Sequence, residues 1–218
     1  MNKIGALSLA AWVFCSSSGA LAADSMNVRI AGGYGFSLNS GNQDFSNTPS
    51  TYPLSPGIPA SIEFLYPVLR NVDLGLGVYP VFMDRQFTTA EVNASAQFVP
   101  VQETDNATFL PILLSAYVNS PLTDKVRAFE GLGLGIVPAT QVTSSFDQGF
   151  PGTSYGLDAA LAVRAALGVE ASLGHGVSLG LEVQGLFFDQ HIINGTGWSA
   201  STKDLNQIAP MIEAEYGF

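Results

Sequence analysis

The sequence predicts an all-β protein: an eight-stranded antiparallel up-and-down transmembrane β-barrel with short periplasmic turns and long extracellular loops. Three observations carry that expectation. Apolar residues recur at every second position in runs longer than a soluble strand. Long and short connections alternate along the chain. An export leader precedes a mature chain with no apolar run long enough for a membrane helix.

The clearest element is Asp158–Gln190. From Leu161 every second residue is apolar through Leu167 to Leu173, while Ala162, Arg164, Ala166, Gly168, Glu170 and Ser172 fill the positions between. After Gly174-His175-Gly176 the alternation resumes with Val177, Leu179, Leu181, Val183 and Phe187, against Ser178, Gly180, Glu182 and Gln184. A period of two places successive side chains on opposite sheet faces, and a Gly-containing link suits a hairpin. Globular strands run to about 5–6 residues, whereas a tilted spanning strand needs roughly 9–11. Every charge falls on the Gly/Ala-rich face, so the apolar face looks into hydrocarbon. A helix competes on propensity, because the first half is rich in Ala and Leu. The strict period and the matching partner strand argue against it.

Residues 1–22 read as a cleaved signal peptide, with Lys3 ahead of an apolar run and Ala20-Leu21-Ala22 as the cleavage site. Residues 23–218 are the barrel. The lone Cys15 leaves with the leader, so the mature chain has no disulfide and no thiol nucleophile. Losing Lys3 moves the formal net charge from −10 to −11, and with no basic cluster the acidic chain is no nucleic-acid binder. Charged residues make up only 12% and hydrophobic ones 47%, which suits an exported chain that spans lipid with strands.

The strands are expected at 26–38, 59–68, 72–85, 107–119, 125–142, the two arms of the hairpin, and 205–218. Polar stretches at 39–58, 86–106, 143–156 and 191–204 are the long loops, with residues 87–92 a candidate extension of the sheet. Short links occur at 69–71, 120–124 and 174–176. Glu130 falls on the lipid face, which requires either a place at the membrane interface or a bulge. Pro67, Pro80, Pro111, Pro138 and Pro210 lie within strands and remove ladder donors. Bulges or bends are expected at Pro80 and Pro210. Aromatics near strand ends (Tyr34, Tyr66, Phe82, Phe187, Tyr216, Phe218) are candidates for interfacial girdles.

The chain resembles the small eight-stranded outer-membrane proteins, the OmpA/OmpX/OmpW-like group, over essentially all its mature length. Its most specific local feature is the carboxy-terminal stretch from Glu213 to Phe218, with Tyr216 and Phe218 on one face. The resemblance implies residence in the outer membrane of a Gram-negative bacterium, contact with outer-membrane lipids, and an assembly signal at Tyr216 and Phe218 read by the barrel-assembly machinery. No pattern selects one family within the group.

The inward register collects Arg29, Arg127 and Arg164 with Glu63, Asp73, Glu170, Glu182, Glu213 and Glu215. Barrel closure should bring Arg29 near Glu213 or Glu215. These charges make either a narrow polar path or an ion-paired core that fills the lumen, because buried charges must be paired whatever their purpose. Inward Leu113, Tyr117, Leu186 and Phe188 favour filling. The two histidines offer little for catalysis. His175 lies in a turn, and Asp189 with His191 at the rim resembles part of an omptin protease site without the second acidic pair. No metal site and no cofactor are expected. The expected function is a structural or surface-interaction role, with a surface ligand or host partner met through the extracellular loops. A small-solute conduit through the charged lumen is the alternative, and a rim hydrolase a third.

Overall fold

A computed structural model of the chain describes residues 26–37, 42–45, 48–51, 57–92, 98–146, 152–188, 190–191, 201–202 and 206–218. The expected leader and part of each of the four expected long loops lie outside them. Every regular element among the described residues is a strand. In chain order they are β1 (Asn27–Gly33), β2 (Phe36–Ser37), β3 (Asn42–Phe45), β4 (Thr48–Thr51), β5 (Ile58–Leu69) and β6 (Val72–Val78). Next come β7 (Val81–Val92), β8 (Phe98–Phe109), β9 (Ile112–Pro121), β10 (Val126–Val137), β11 (Thr140–Phe146) and β12 (Thr153–Leu157). The last are β13 (Ala160–Gly174), β14 (Val177–Phe188), β15 (Gln190–His191), β16 (Ser201–Thr202) and β17 (Gln207–Gly217).

The chain's two ends close a cylinder. β1 pairs with β17 on one side, Arg29 opposite Glu215, and with β5 on the other, Arg29 opposite Glu63. The wall is completed by β6, β9, β10, β13 and β14, all antiparallel, giving eight strands and no free edge. Closure matters physically, because lipid offers no partner to an unpaired backbone group. The outer face is apolar: Leu132, Leu134, Leu161, Leu181 and Ile212 are each 60–72% exposed. So broad an exposed greasy surface suits hydrocarbon rather than water.

Met26, the first described residue, and Phe218 lie at the end of the barrel with the short turns. Gly217 donates its N–H to the Gly176 carbonyl (2.8 Å) and Phe218 to that of Met26 (3.1 Å). In the turn after β13, Gly174, His175 and Gly176 have φ of 91°, 53° and 77°. Glycine occupies this left-handed region without the Cβ clash, and His175 is flanked by two such residues. The turn after β9 is tied by Thr123, whose Oγ1 accepts from the N–H groups of Lys125 (3.2 Å) and Val126 (3.0 Å).

At the opposite end the structure departs from the expected loops. Four expected wall strands or loops are broken and then continue: β6 into β7 past Tyr79-Pro80, β8 into β9 past Leu110-Pro111, β10 into β11 past Pro138-Ala139, and β12 into β13 past Asp158-Ala159. The continuations β7, β8, β11 and β12 pair with one another as a sheet that extends one side of the wall. The stretch 86–106 is therefore a hairpin ribbon rather than a loop, and much of 143–156 is strand. Pro80, Pro111 and Pro138 mark three of the breaks.

Pro210 behaves differently from expectation: β17 runs through it without a bulge. Its hydrogen-bonding edge faces the place where β1 has ended, and its carbonyl accepts from Tyr34 N–H (3.3 Å). The missing donor thus falls where the ladder has already stopped, and the pairing with β14 is undisturbed. Glu130 sits in a regular stretch of β10, exposed, between Val118 and Leu167, four residues from the strand's turn end. Pro67 lies beside a register shift between β5 and β6.

Candidate functional site: a filled lumen and a gap in the wall

Small inward residues make room for large ones. A Cβ placed on Gly168 would lie 2.3 Å from the Phe129 ring, one on Gly131 2.5 Å from the Tyr117 ring, and one on Gly180 2.3 Å from Glu213 Oε1. Gly75 stands in the same relation to Glu63 Oε1, at 2.3 Å. Glycine here supplies space rather than flexibility, and the pattern Gly131-x-Gly133 faces the widest side chains in the barrel. The lumen of an eight-stranded barrel is just wide enough for such complementary filling.

Three layers occupy it. Nearest the turn end, Arg29 donates through Nε (3.2 Å) and Nη2 (2.9 Å) to Glu215 Oε2, with Glu213 at 3.5 Å and Glu170 at 3.7 Å. Its guanidinium lies against the rings of both Tyr117 (4.8 Å) and Phe129 (4.6 Å), which meet edge to face with centroids 6.0 Å apart. Arg127, the one partly exposed member, bridges Glu170 (3.0 Å) and Glu215 (2.7 Å). Asn27 also donates to Glu215 (2.8 Å).

The middle layer centres on Arg164. It pairs with Glu182, donates through Nε to Gln184 Oε1 (2.9 Å) and through Nη1 to the Tyr117 hydroxyl, and lies over the Tyr79 ring (4.8 Å). Tyr117 in turn donates to Glu63 Oε2 (2.6 Å). Asp73 stands apart and accepts from Asn119 Nδ2 (2.7 Å). The outermost layer is apolar. Phe109, Leu113, Val137, Val142, Leu157, Leu186 and Phe188 are buried together, with the Phe109 and Phe188 rings 5.3 Å apart.

All nine charged residues read as inward-facing thus lie inside the barrel, in these contacts. Sequence reasoning passed over Phe129, Gln184, Ser115 and Asn119 as partners. Period-two counting from Arg127 or Arg164 places each on the inner face, but alternation says nothing about which inward residues meet across strands. Tyr216 and Phe218 are exposed on the outer face near the turn end, with ring centroids 5.6 Å apart. His175 is exposed in its turn. The side chains of Asp189 and His191 lie outside the described residues.

A second feature sits in the wall. β9 and β10 pair up to Ile112 opposite Ile136, and β8 and β11 pair again from Asn106 opposite Thr143. Between these two points, among the described residues, the ladder is interrupted: residues 107–111 face 137–142 without strand pairing. Pro111 and Pro138 lie on opposite sides of the interruption, where each lacks a donor. The gap adjoins a cavity of about 690 Å³ lined by Ile58, Phe82, Met83, Thr108, Leu110 and Ala139 among others. Met83 and Ala107, which line it, also pack against the outermost lumen layer.

No family model matches the sequence, and no curated protein is similar to it. Solved structures are similar in fold. Neisserial surface protein A superposes with a TM-score of 0.51 at 10% identity over 90% of this chain and 98% of that one. OprG from Pseudomonas aeruginosa gives 0.51 at 14% identity over 93% and 97%. The outer-membrane protein AlkL, solved in lipid bilayers, gives 0.51 at 16% identity over 93% of each chain. Closed wall, greasy exterior and these likenesses agree: the chain is a small eight-stranded β-barrel of the outer-membrane type.

Proposed function

We propose that this barrel carries no flux along its axis and instead offers small apolar molecules a sideways path between the cell exterior and the bilayer. The observation that carries the reading is the interrupted ladder between β8 and β11, with a mostly apolar cavity at it whose polar lining comes from Asn106, Thr108, Thr140 and Gln141. Behind the gap lies the apolar outer layer of the lumen, so a greasy solute would meet hydrocarbon-like surface on both sides. The charged layers below it weigh against the narrow polar conduit, since each guanidinium is held by carboxylates and those of Arg29 and Arg164 also lie over aromatic rings.

The test is entry of an apolar naphthylamine dye into cells whose outer membrane is intact. Cells carrying the wild-type barrel should take up dye faster than cells without it. Thr108→Trp or Ala139→Trp, which fill the cavity, should return uptake to background. Equal uptake in all strains would end the proposal.

A second reading is a structural or surface-binding role, and the sheet of β7, β8, β11 and β12 standing beyond the wall favours it. It predicts that trimming the β7–β8 ribbon abolishes adhesion to a host surface or ligand while leaving dye entry intact. Both readings are non-enzymatic, and no observation favours a hydrolase at Asp189 and His191. Under either, outer-membrane lipids cover the wall, and Tyr216 and Phe218 present the aromatic pair that the barrel-assembly machinery would engage.

A further inference from the structure

The filled lumen carries unequal charge. Among the described residues, six carboxyl groups (Glu63, Asp73, Glu170, Glu182, Glu213, Glu215), none more than 5% exposed, share it with Arg29, Arg127 and Arg164 alone. Five of the six have a hydrogen-bonding partner: Glu215 and Glu170 on the arginines, Glu182 on Arg164, Glu63 on Tyr117, Asp73 on Asn119. Glu213 does not. Both its oxygens are buried without a hydrogen bond: the Nε and Nη2 of Arg29, its nearest cation at 3.5 Å, are directed to Glu215, and Arg29 Nη1 makes no hydrogen bond to it either. The groups facing Glu213 are Arg29 on β1, Glu170 on β13, Glu182 on β14 and Glu215 on its own strand, so three of the four are negative. Tyr117 and Glu63, the further members of the network, add no cation.

A buried carboxylate without donors among like charges is a costly arrangement, and a proton removes the cost. We propose that the folded barrel holds a proton on Glu213 that the unfolded chain gives up, making the lumen a pH-sensitive plug that tightens in mild acid and loosens in alkali. The protonated carboxyl gains a donor. Glu182, diagonal to Glu213 across the β14–β17 ladder, has Oε2 buried without a partner and able to accept it. The sign follows from linkage. Where the folded state binds more protons than the unfolded state, stability falls as pH rises. This is opposite to the usual behaviour of a salt-bridged carboxylate.

The experiment is unfolding of the whole mature barrel, reconstituted in micelles, in urea at about pH 6 and about pH 9, a span over which a free glutamate is fully ionised. The wild type should unfold about tenfold faster at the higher pH, the equivalent of one proton released across about one pH unit. Glu213→Gln, a neutral isostere, should unfold at nearly the same rate at both and more slowly than wild type at the higher pH. Glu130→Gln, on the outer face, should behave as wild type. In the infrared, the wild type at neutral pH should show a carboxylic acid C=O band that Glu213→Gln lacks. A pH-independent wild-type rate, or an acid band that survives Glu213→Gln, would overturn the assignment, and the pH dependence of the wild-type rate stands as a test even if the variant does not fold.

Discussion

Arg164 and Glu182 meet in the middle of the lumen on adjoining strands β13 and β14, each side chain about 1% exposed. Their pairing is enclosed by Gln184, Tyr117 and Tyr79, which shut both charges off from bulk solvent. Removing one member of a buried pair costs about 3–5 kcal/mol, while replacing both with apolar residues of like volume is often neutral or stabilising. Arg164→Ala should therefore lower the urea midpoint of the refolded barrel sharply. The double variant Arg164→Met/Glu182→Leu should recover most of the loss. A double variant no better than the single one would show that the pair contributes more than mutual neutralisation.

Lumen glycines are predicted to be intolerant in proportion to the ring they face. Gly168→Val places atoms within the Phe129 ring, whose edge already stands 2.3 Å from a Cβ at that position. Overpacking of this kind costs about 1–3 kcal/mol. Phe129→Leu should relieve it in the double variant, whereas Phe129→Leu alone opens a void beside Arg29. Gly32, where a Cβ meets nothing within 4 Å, is the control: Gly32→Ala should leave the midpoint unchanged. Denaturant midpoints for the four variants check the set.

How much of this was legible in the sequence divides along physical lines. Strand faces follow from a period of two, so Arg164 inward with Leu167 outward could be read from the hairpin alone. Closure of β1 on β17 could be read too, because an even number of strands returns both ends to one side, and Arg29 does meet both Glu213 and Glu215. Tertiary partnership could not. Nothing along the chain distinguishes Glu213, left without a donor, from Glu215, held by two arginines and an asparagine. The gap in the wall was hidden for a related reason. Pro111 and Pro138 are visible one at a time as lost donors, but only the folded register shows that they flank the same interruption, one on each side. Pro210 looked equally disruptive and is harmless, because β1 ends beside it.

The lipid face gives a sharp test of depth. Leu132 and Leu134 point outward from β10 and are 66% and 60% exposed. Arginine near mid-bilayer on a barrel's outer face costs about 2–4 kcal/mol, falling to about 0–1 near the interface. Leu134→Arg should therefore weaken the folded barrel in lipid vesicles by the larger amount. Glu130→Arg, nearer the turn end, should cost little. Equal effects at the two positions would mean that Glu130 lies as deep as Leu134 and that its carboxyl is compensated by something other than the interface.

Ion passage along the axis meets three obstacles in series, the first being the buried Arg29 layer at the turn end. The Arg164 layer is charged and cross-linked by hydrogen bonds, and the layer outside it is apolar, with Phe109 and Phe188 in ring contact at 5.3 Å. An apolar constriction excludes a hydrated ion even where no charge opposes it, and the guanidinium layer fills the bore even where the apolar layer is cut away. In planar bilayers the wild type should show no steady conductance. Arg164→Ala should also be silent, because Phe109 and Phe188 remain, and Phe109→Ala/Phe188→Ala should be silent because Arg164 remains. The triple variant should still be closed by the Arg29 layer, and only adding Arg29→Ala to it should pass current, as small steps. Steady current from the wild type would restore the axial conduit. Current from either of the first two variants would show that a single layer does the closing, and which variant conducts would say which layer that is.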